Sequence, residues 1–262
     1  MACEPITVGV KRYLQSCRNA VDYFILITGL AWLALLCLLW TPIAFILKMV
    51  LPRTFASQLG RFTIMAGFRL YLTSLRISRR CYFDLSALDI LRGQGSIIIA
   101  PNHPSLLDAV FVISRLPNIV CVMKAKLMSN LLLGAGARLA GYLPSLGIRQ
   151  TVNLASQALA GGNQLLLFPE GTRTTRPPLN PCVGSIALIA KQAGVPIQTV
   201  IIESNTNFLG KGWPLLRLPQ MPLRYKVRLG KRFDPPEDTH AFLAELETYF
   251  KHELQQNKQE FP

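Results

Sequence analysis

Residues 96–104 read Ser96-Ile97-Ile98-Ile99-Ala100-Pro101-Asn102-His103-Pro104, an unbroken apolar run that ends in a polar turn. Such a run, bounded by turn residues and lacking a polar face, predicts a strand buried on both sides. Similar runs at 119–123, 164–168 and 197–202, and an alternating one at 225–229, predict further strands. Helical stretches fall between them at 105–115, 151–160 and 185–193. A last helix is predicted to open after Asp234-Pro235, since proline is tolerated at a first helical position, and to run toward Gln255. Strands alternating with helices predict an α/β fold, a largely parallel sheet flanked by helices. Functional residues in such sheets gather in loops beyond the carboxyl ends of the strands.

Two of those loops carry charged motifs. The first is Asn102-His103-Pro104-Ser105-Leu106-Leu107-Asp108, and only His240 and His252 accompany His103 in the whole chain. On a regular helix two residues five apart are separated by ~140°. His103 and Asp108 therefore meet only if His103 stands outside the helix, and Pro104 is suited to opening one just behind it. The carboxylate then orients the imidazole, and the second ring nitrogen is left as a base. A structural loop histidine is the competing reading of this motif alone. The second motif is Phe168-Pro169-Glu170-Gly171-Thr172-Arg173. Gly171 allows a tight turn and Arg173 offers a planar cationic fork for phosphate, unless Glu170 and Arg173 merely pair at the sheet rim. Two such loops after two strands converge naturally in a doubly wound sheet.

The chain is oily and basic. Half of its 262 residues are hydrophobic and 28 Lys and Arg stand against 14 Asp and Glu, a net charge of +14 that favours an anionic partner. The charge distribution decides which partner. From Tyr23 to Leu47 no residue is charged, a length sufficient to cross a bilayer as a helix. Lys11, Arg12 and Arg18 precede it and Lys48 and Arg53 follow, while Pro42 is placed to kink its far end. The next segment, 55–77, carries Arg61, Arg69 and Arg76 within an arc of roughly 80° and predicts a basic amphipathic helix lying in the headgroup layer. Positive charge beside an oily segment argues for a membrane and against nucleic acid. The expected organisation is a membrane anchor with a basic amphipathic segment over 1–80 and a catalytic domain over 81–262. Heavier positive charge downstream of the apolar run places the catalytic body on the cytoplasmic side, as at a bacterial inner membrane. A re-entrant or interfacial segment that never crosses remains the alternative. Six cysteines without a C-x-x-C pair suggest neither a zinc site nor a disulfide framework.

The two motifs resemble those of the glycerophospholipid (lysophosphatidic acid, 1-acylglycerol-3-phosphate) acyltransferases. Asn102, His103, Ser105 and Asp108 match that family's first signature at every defined position. Residues 168–173 match its third in full, and Val195-Pro196-Ile197 matches a fourth. The resemblance covers roughly residues 85–229. It implies transfer of a fatty acyl group from acyl-CoA or acyl-carrier protein to a lysophospholipid hydroxyl, most simply 1-acyl-glycerol-3-phosphate, with no metal and no cofactor. His103 would be the general base and Asp108 its orienting partner. Lys124, with Lys126 as its alternative, Arg149, Glu170, Gly171, Thr172 and Arg173 would bind the acceptor.

Two departures bear on the acceptor. The second family signature is met only loosely, by Gly141-Tyr142-Leu143-Pro144 followed by Arg149. Cys182-Val183-Gly184 stands where relatives carry an aromatic residue and a lysine. Another membrane lipid, such as an ornithine or polyene lipid, is therefore the rival acceptor. A catalytically silent lipid-binding homologue is the rival of a different class.

Overall fold

A computed structural model describes residues 4–256, with side chains from Tyr13 onward. Two long helices come first, α1 (Glu4–Val50) and α2 (Arg53–Ile77). Then follow β1 (Cys81–Asp84), a 3₁₀ turn (Ser86–Leu91), β2 (Ile98–Pro101), α3 (Asp108–Ile113), β3 (Ile119–Lys124), α4 (Ala125–Met128) and α5 (Gly134–Leu139). The remainder comprises β4 (Leu143–Ser145), α6 (Ile148–Ala160), β5 (Gln164–Leu166), α7 (Ser185–Ala193), β6 (Ile197–Ser204), β7 (Leu223–Phe233) and α8 (Thr239–Gln256).

The strands form one sheet in the order β1-β7-β6-β2-β5-β3-β4. β6, β2, β5, β3 and β4 run parallel, while β7 is antiparallel to β6 and β1 is parallel to β7. The isoleucine run is an inner strand, as expected, and its neighbours explain its composition. Successive side chains of a strand point to opposite faces. Ile97 and Ile99 enter the apolar layer beneath α3 with Leu88, Phe111 and Tyr225. Ile98 and Ala100 enter the opposite layer with Ala155, Ile186, Leu246 and Phe250. All four residues are fully buried, so neither face tolerates a polar side chain.

The edges of the sheet differ from expectation. β1 and β4 are short edge strands that no apolar run announces, and β4 contains Pro144. Proline is tolerated there because an edge strand lacks a partner on one side. The last helix opens at Thr239 rather than at Pro235, because the Asp238 carboxylate accepts the His240 and Ala241 N–H groups and caps it.

The N-terminal layer is where the expectation for α2 fails. The predicted helix is present, but its arginines do not form an outward stripe. Arg61 is buried and donates from Nη1 to the Ala140 carbonyl at 3.4 Å, Arg69 is half-buried, and of the three only Arg76 is exposed. Phe55, Phe62, Leu70 and Ile77 face outward instead. The cause lies one residue earlier. A Cβ on Gly60 would stand 2.8 Å from the Ala140 nitrogen, so the glycine brings α2 directly onto the end of α5 and turns Arg61 inward. There its cation meets the terminal carbonyls of that helix.

α1 is also two-sided. Asp22, Leu26, Gly29 and Ala44 are buried, at helical spacing, while Phe24, Ile27, Leu39, Phe45 and Ile46 are exposed. Asp22 accepts two hydrogen bonds from Arg80, at 2.6 and 2.5 Å, and Thr41 donates to the Leu131 carbonyl at 3.0 Å. Pro42 lies within the helix without ending it.

Candidate active site

The site is built at the carboxyl edge of the sheet, beginning at the end of β2. Asn102 is the hinge. Its side-chain NH2 donates to the Ile202 carbonyl at 3.0 Å and its Oδ1 accepts the Ile202 N–H at 2.7 Å, which fastens the turn to β6. Beyond it His103 stands outside any helix, as expected. Pro104 does not open the helix: the chain first turns through Ser105 to Leu107, and α3 starts at Asp108. The extra turn lets the carboxylate reach back. Asp108 Oδ2 accepts the Ser105 N–H at 2.7 Å and lies 2.9 Å from His103 Nδ1. The Ser105 hydroxyl in turn donates to the Phe208 carbonyl at 2.9 Å.

Asp108 is 0% exposed, and burial pushes its pKa up to about 6, against the opposing pull of the His103 hydrogen bond. Near neutral pH it is ionised and can only accept. The proton shared with His103 is therefore assigned to Nδ1, and Nε2 keeps its lone pair. Nε2 has no hydrogen-bond partner among the described residues. The ring is held from the side by Phe168, stacked at a centroid distance of 3.8 Å and an angle of 18°. An imidazole fixed by a carboxylate on one nitrogen and left open on the other is arranged to take a proton.

β5 is hydrogen-bonded directly to β2, so the second motif leaves the same edge one strand away. Gly171 adopts φ +63°, a left-handed conformation, and its N–H returns to the Phe168 carbonyl at 3.0 Å. A Cβ there would also come within 3.3 Å of Val183. The buried Glu170 ties the loops together: Oε1 accepts the His103 N–H at 2.9 Å and the Thr174 hydroxyl at 2.8 Å, and Oε2 accepts the Asn180 N–H at 2.8 Å. Thr174 N–H donates to the His103 carbonyl at 2.8 Å. Arg173 Nη1 donates to the carbonyls of Leu209 and Gly210 at 2.8 and 3.0 Å. Nε and Nη2 of Arg173 make no hydrogen bond among the described residues.

The residues singled out in the sequence thus divide into two groups. His103, Asp108 and Glu170 form one hydrogen-bonded network, Gly171 forms the turn beside it, and Arg173 joins through the loop that follows β6. Thr172 is half-buried within the same turn. Lys124 and Arg149 stand apart. Lys124 closes β3, two strands from β2 and so about 10 Å to the side. Its register partner is Ser145, and Arg149 follows in the first turn of α6. Lys124, Lys126 and Arg149 are exposed and form no ion pair among the described residues. The departing segment adjoins the motif, since Val183 N–H donates to the Pro169 carbonyl at 2.7 Å.

Sequence reasoning missed Asn180, whose Oδ1 accepts from the backbone of Thr175 and Arg176 and from the Thr175 hydroxyl while its NH2 holds the Arg173 carbonyl. The Asn180-Pro181 pair was a turn signal that could have found it. The carbonyls of residues 208–210 had no sequence signal, because any side chain presents the same backbone oxygen. Among the described residues no cluster of His, Cys, Asp and Glu could hold a metal ion.

Residues 83–203 match the family model described as Acyltransferase. A Caenorhabditis elegans protein provisionally named 1-acyl-sn-glycerol-3-phosphate acyltransferase acl-1 is 27% identical over 136 residues, 48% of this chain and 51% of that protein. The match thus spans about half the length of that relative. The crystal structure of the 1-acyl-sn-glycerophosphate (LPA) acyltransferase PlsC of Thermotoga maritima shares the fold, with a TM-score of 0.67 at 15% identity over 93% of this chain and 97% of that one. The stretch that matches this model, residues 83–203, holds both motif loops, and there the chain is similar to the acyltransferases.

Proposed function

We propose that this chain is an O-acyltransferase that moves a fatty acyl group from acyl-CoA or acyl-carrier protein to the free hydroxyl of 1-acyl-glycerol-3-phosphate, giving phosphatidic acid. The observation that carries the reading is the bond between His103 Nδ1 and the buried Asp108, which leaves Nε2 open. Nε2 takes the acceptor's hydroxyl proton as the oxygen attacks the thioester carbonyl. The tetrahedral intermediate collapses, the carbon–sulfur bond breaks, and the proton held on Nε2 passes to the departing thiolate. Histidine and free thiol are thereby restored. Base catalysis of this kind contributes about 10²–10⁴-fold.

The free nitrogens of Arg173, with Lys124 and Arg149 farther along the same edge, are the cations we assign to the acceptor's phosphate. Glu170 holds the base in place, since its carboxylate is consumed by His103, Thr174 and Asn180, and Gly171 makes the turn that aims it.

The geometry of α1 argues for attachment within one leaflet. Asp22 and Ala44 both pack against the body, and 22 positions of helix span about 33 Å. A helix held to the domain over that length lies beside it, with Phe24, Ile27, Phe45 and Ile46 turned to lipid. α2 packs against α1 and adds the outward Phe62, Leu70 and Ile77 as further exposed apolar side chains. We place this surface on the cytoplasmic leaflet, where anionic headgroups meet the basic flanks.

The second reading, another membrane lipid as acceptor, is favoured by the apolar Val183, which adjoins Gly171 and brings no cation to the turn. A panel of labelled acceptors separates the two. Product from 1-acyl-glycerol-3-phosphate supports the first, and product only from acceptors without phosphate removes it.

A further inference from the structure

We propose that the loop at 211–218 is a third lipid-facing element, one that belongs to the catalytic body and seats it on an anionic bilayer beside His103. The proposal rests on the membrane reading above and adds a contact that neither N-terminal helix supplies. The tip presents Leu215 and Leu216, adjacent and 55% and 63% exposed, between the exposed cations Lys211 and Arg217. Single exposed leucines are ordinary, but a neighbouring pair flanked by cations and a tryptophan has the composition of an interfacial anchor.

The tip is also prebuilt. Trp213 N–H donates to the Gly210 carbonyl at 3.1 Å and Arg217 N–H to the Pro214 carbonyl at 2.9 Å. The Trp213 indole donates to the Arg217 carbonyl at 3.2 Å, and the Arg217 guanidinium lies 4.9 Å from the centre of the Trp213 ring. A rigid tip loses little freedom on insertion, unlike a disordered one.

Two connections give the loop its place. Trp213 and Leu218 pack against the apolar cluster of the catalytic body that also takes Phe208, which ties the tip to the body. At its base, Phe208, Leu209 and Gly210 accept the hydrogen bonds of Ser105, Leu106 and Arg173. Insertion of the tip would therefore fix the depth of the His103 turn relative to the headgroups. An acidic acyl-carrier protein is the other partner that two leucines between two cations could meet. The tryptophan beside the paired leucines and the flanking cations, the make-up of an interfacial contact with anionic headgroups, favours lipid.

The test uses the full chain with Trp32→Phe and Trp40→Phe, leaving Trp213 as the sole tryptophan. It is mixed with vesicles of phosphatidylcholine alone or with phosphatidylglycerol, each also prepared with brominated acyl chains. The expected result is that the chain floats with both vesicles and that brominated lipid quenches Trp213, more strongly with the anionic lipid. Flotation without quenching overturns the loop assignment and leaves the membrane reading standing; failure to float overturns both. In a second arm Leu215→Asp with Leu216→Asp should lower the rate on vesicle-borne acceptor by about tenfold. The rate on a short-chain acceptor dissolved in water, and the melting temperature, should be unchanged. Loss confined to reactions using acyl-carrier protein, with acyl-CoA rates intact, would assign the loop to that protein and contradict the proposal.

Discussion

The turn around His103 and the helical layer of α1 and α2 both bury charge, and they do so in opposite ways. In the turn, nearly every polar atom is spoken for by a residue a few positions away or by the adjoining loop. Asp108 Oδ2 serves Ser105 and His103, Glu170 serves three donors, and Asn180 serves four groups. In the helical layer Trp32 Nε1, Trp40 Nε1, Arg61 Nε and Arg69 Nε are buried donors without a partner among the described residues. Desolvation lowers the pKa of both arginines from the usual guanidinium range. Polar groups in the site are tied to one another, whereas in the helical layer a paired group such as Asp22 stands beside these unpartnered ones. The one exception in the site is Asp108 Oδ1, buried and unpartnered, and its burial accompanies a raised carboxyl pKa.

That contrast can be broken most directly at its two charged centres. Asp108→Asn keeps the shape but removes the negative charge that stabilises the imidazolium formed when Nε2 takes the proton. It should lower kcat by about 10²–10⁴ while leaving the melting temperature unchanged or higher. A variant that melts early and retains its rate would make Asp108 a folding residue instead. The pH profile sharpens the same point. Because the carboxyl pKa is raised to about 6, the dyad gains a proton as pH falls through that value and the base is lost. The kcat/KM should therefore be level near neutrality and fall about tenfold per unit below pH 6. A level profile down to pH 5 would show that Asp108 does not titrate in the reaction.

In the helical layer the expected effects are smaller. Arg61→Met replaces a buried cation held by one long hydrogen bond with an apolar side chain of similar length. Replacing a poorly compensated buried charge is often neutral or stabilising, so chemical denaturation should show a change under about 1 kcal/mol or a gain. A loss of about 3 kcal/mol or more would reveal a partner that compensates the cation. Smallest in stability should be Arg149→Ala, since the side chain is exposed and unpaired; a change within about 0.5 kcal/mol is expected. Its effect should appear as a raised KM for phosphorylated acceptors with kcat retained. A KM equal to that of the parent would remove Arg149 from the acceptor site.

The same two regions divide what was legible in the sequence. Buried inner strands announce themselves because both faces must be apolar, and β2, β3, β5 and β6 were all placed from runs such as Ile97-Ile98-Ile99. The motif loops were legible because their bonds are local, as between His103 and Asp108. α2 was legible as a helix but not in its orientation. Three arginines on one arc imply an outward stripe, and only the contact of Gly60 with Ala140, 80 positions away, turns Arg61 inward. Edge strands β1 and β4 were missed because at four and three residues they are too short to show a pattern. The backbone carbonyls of Leu209 and Gly210 were missed because their role depends on position and not on residue type.

The central claim is that His103 is the base of an acyl transfer, and one assay addresses it. Wild-type protein and His103→Ala, each in liposomes, are given labelled thioester donor and 1-acyl-glycerol-3-phosphate, and phosphatidic acid is followed with time. The account predicts product from the wild type and a rate at least about 10²-fold lower in the variant, with an unchanged melting curve. Equal rates from the two proteins would contradict it.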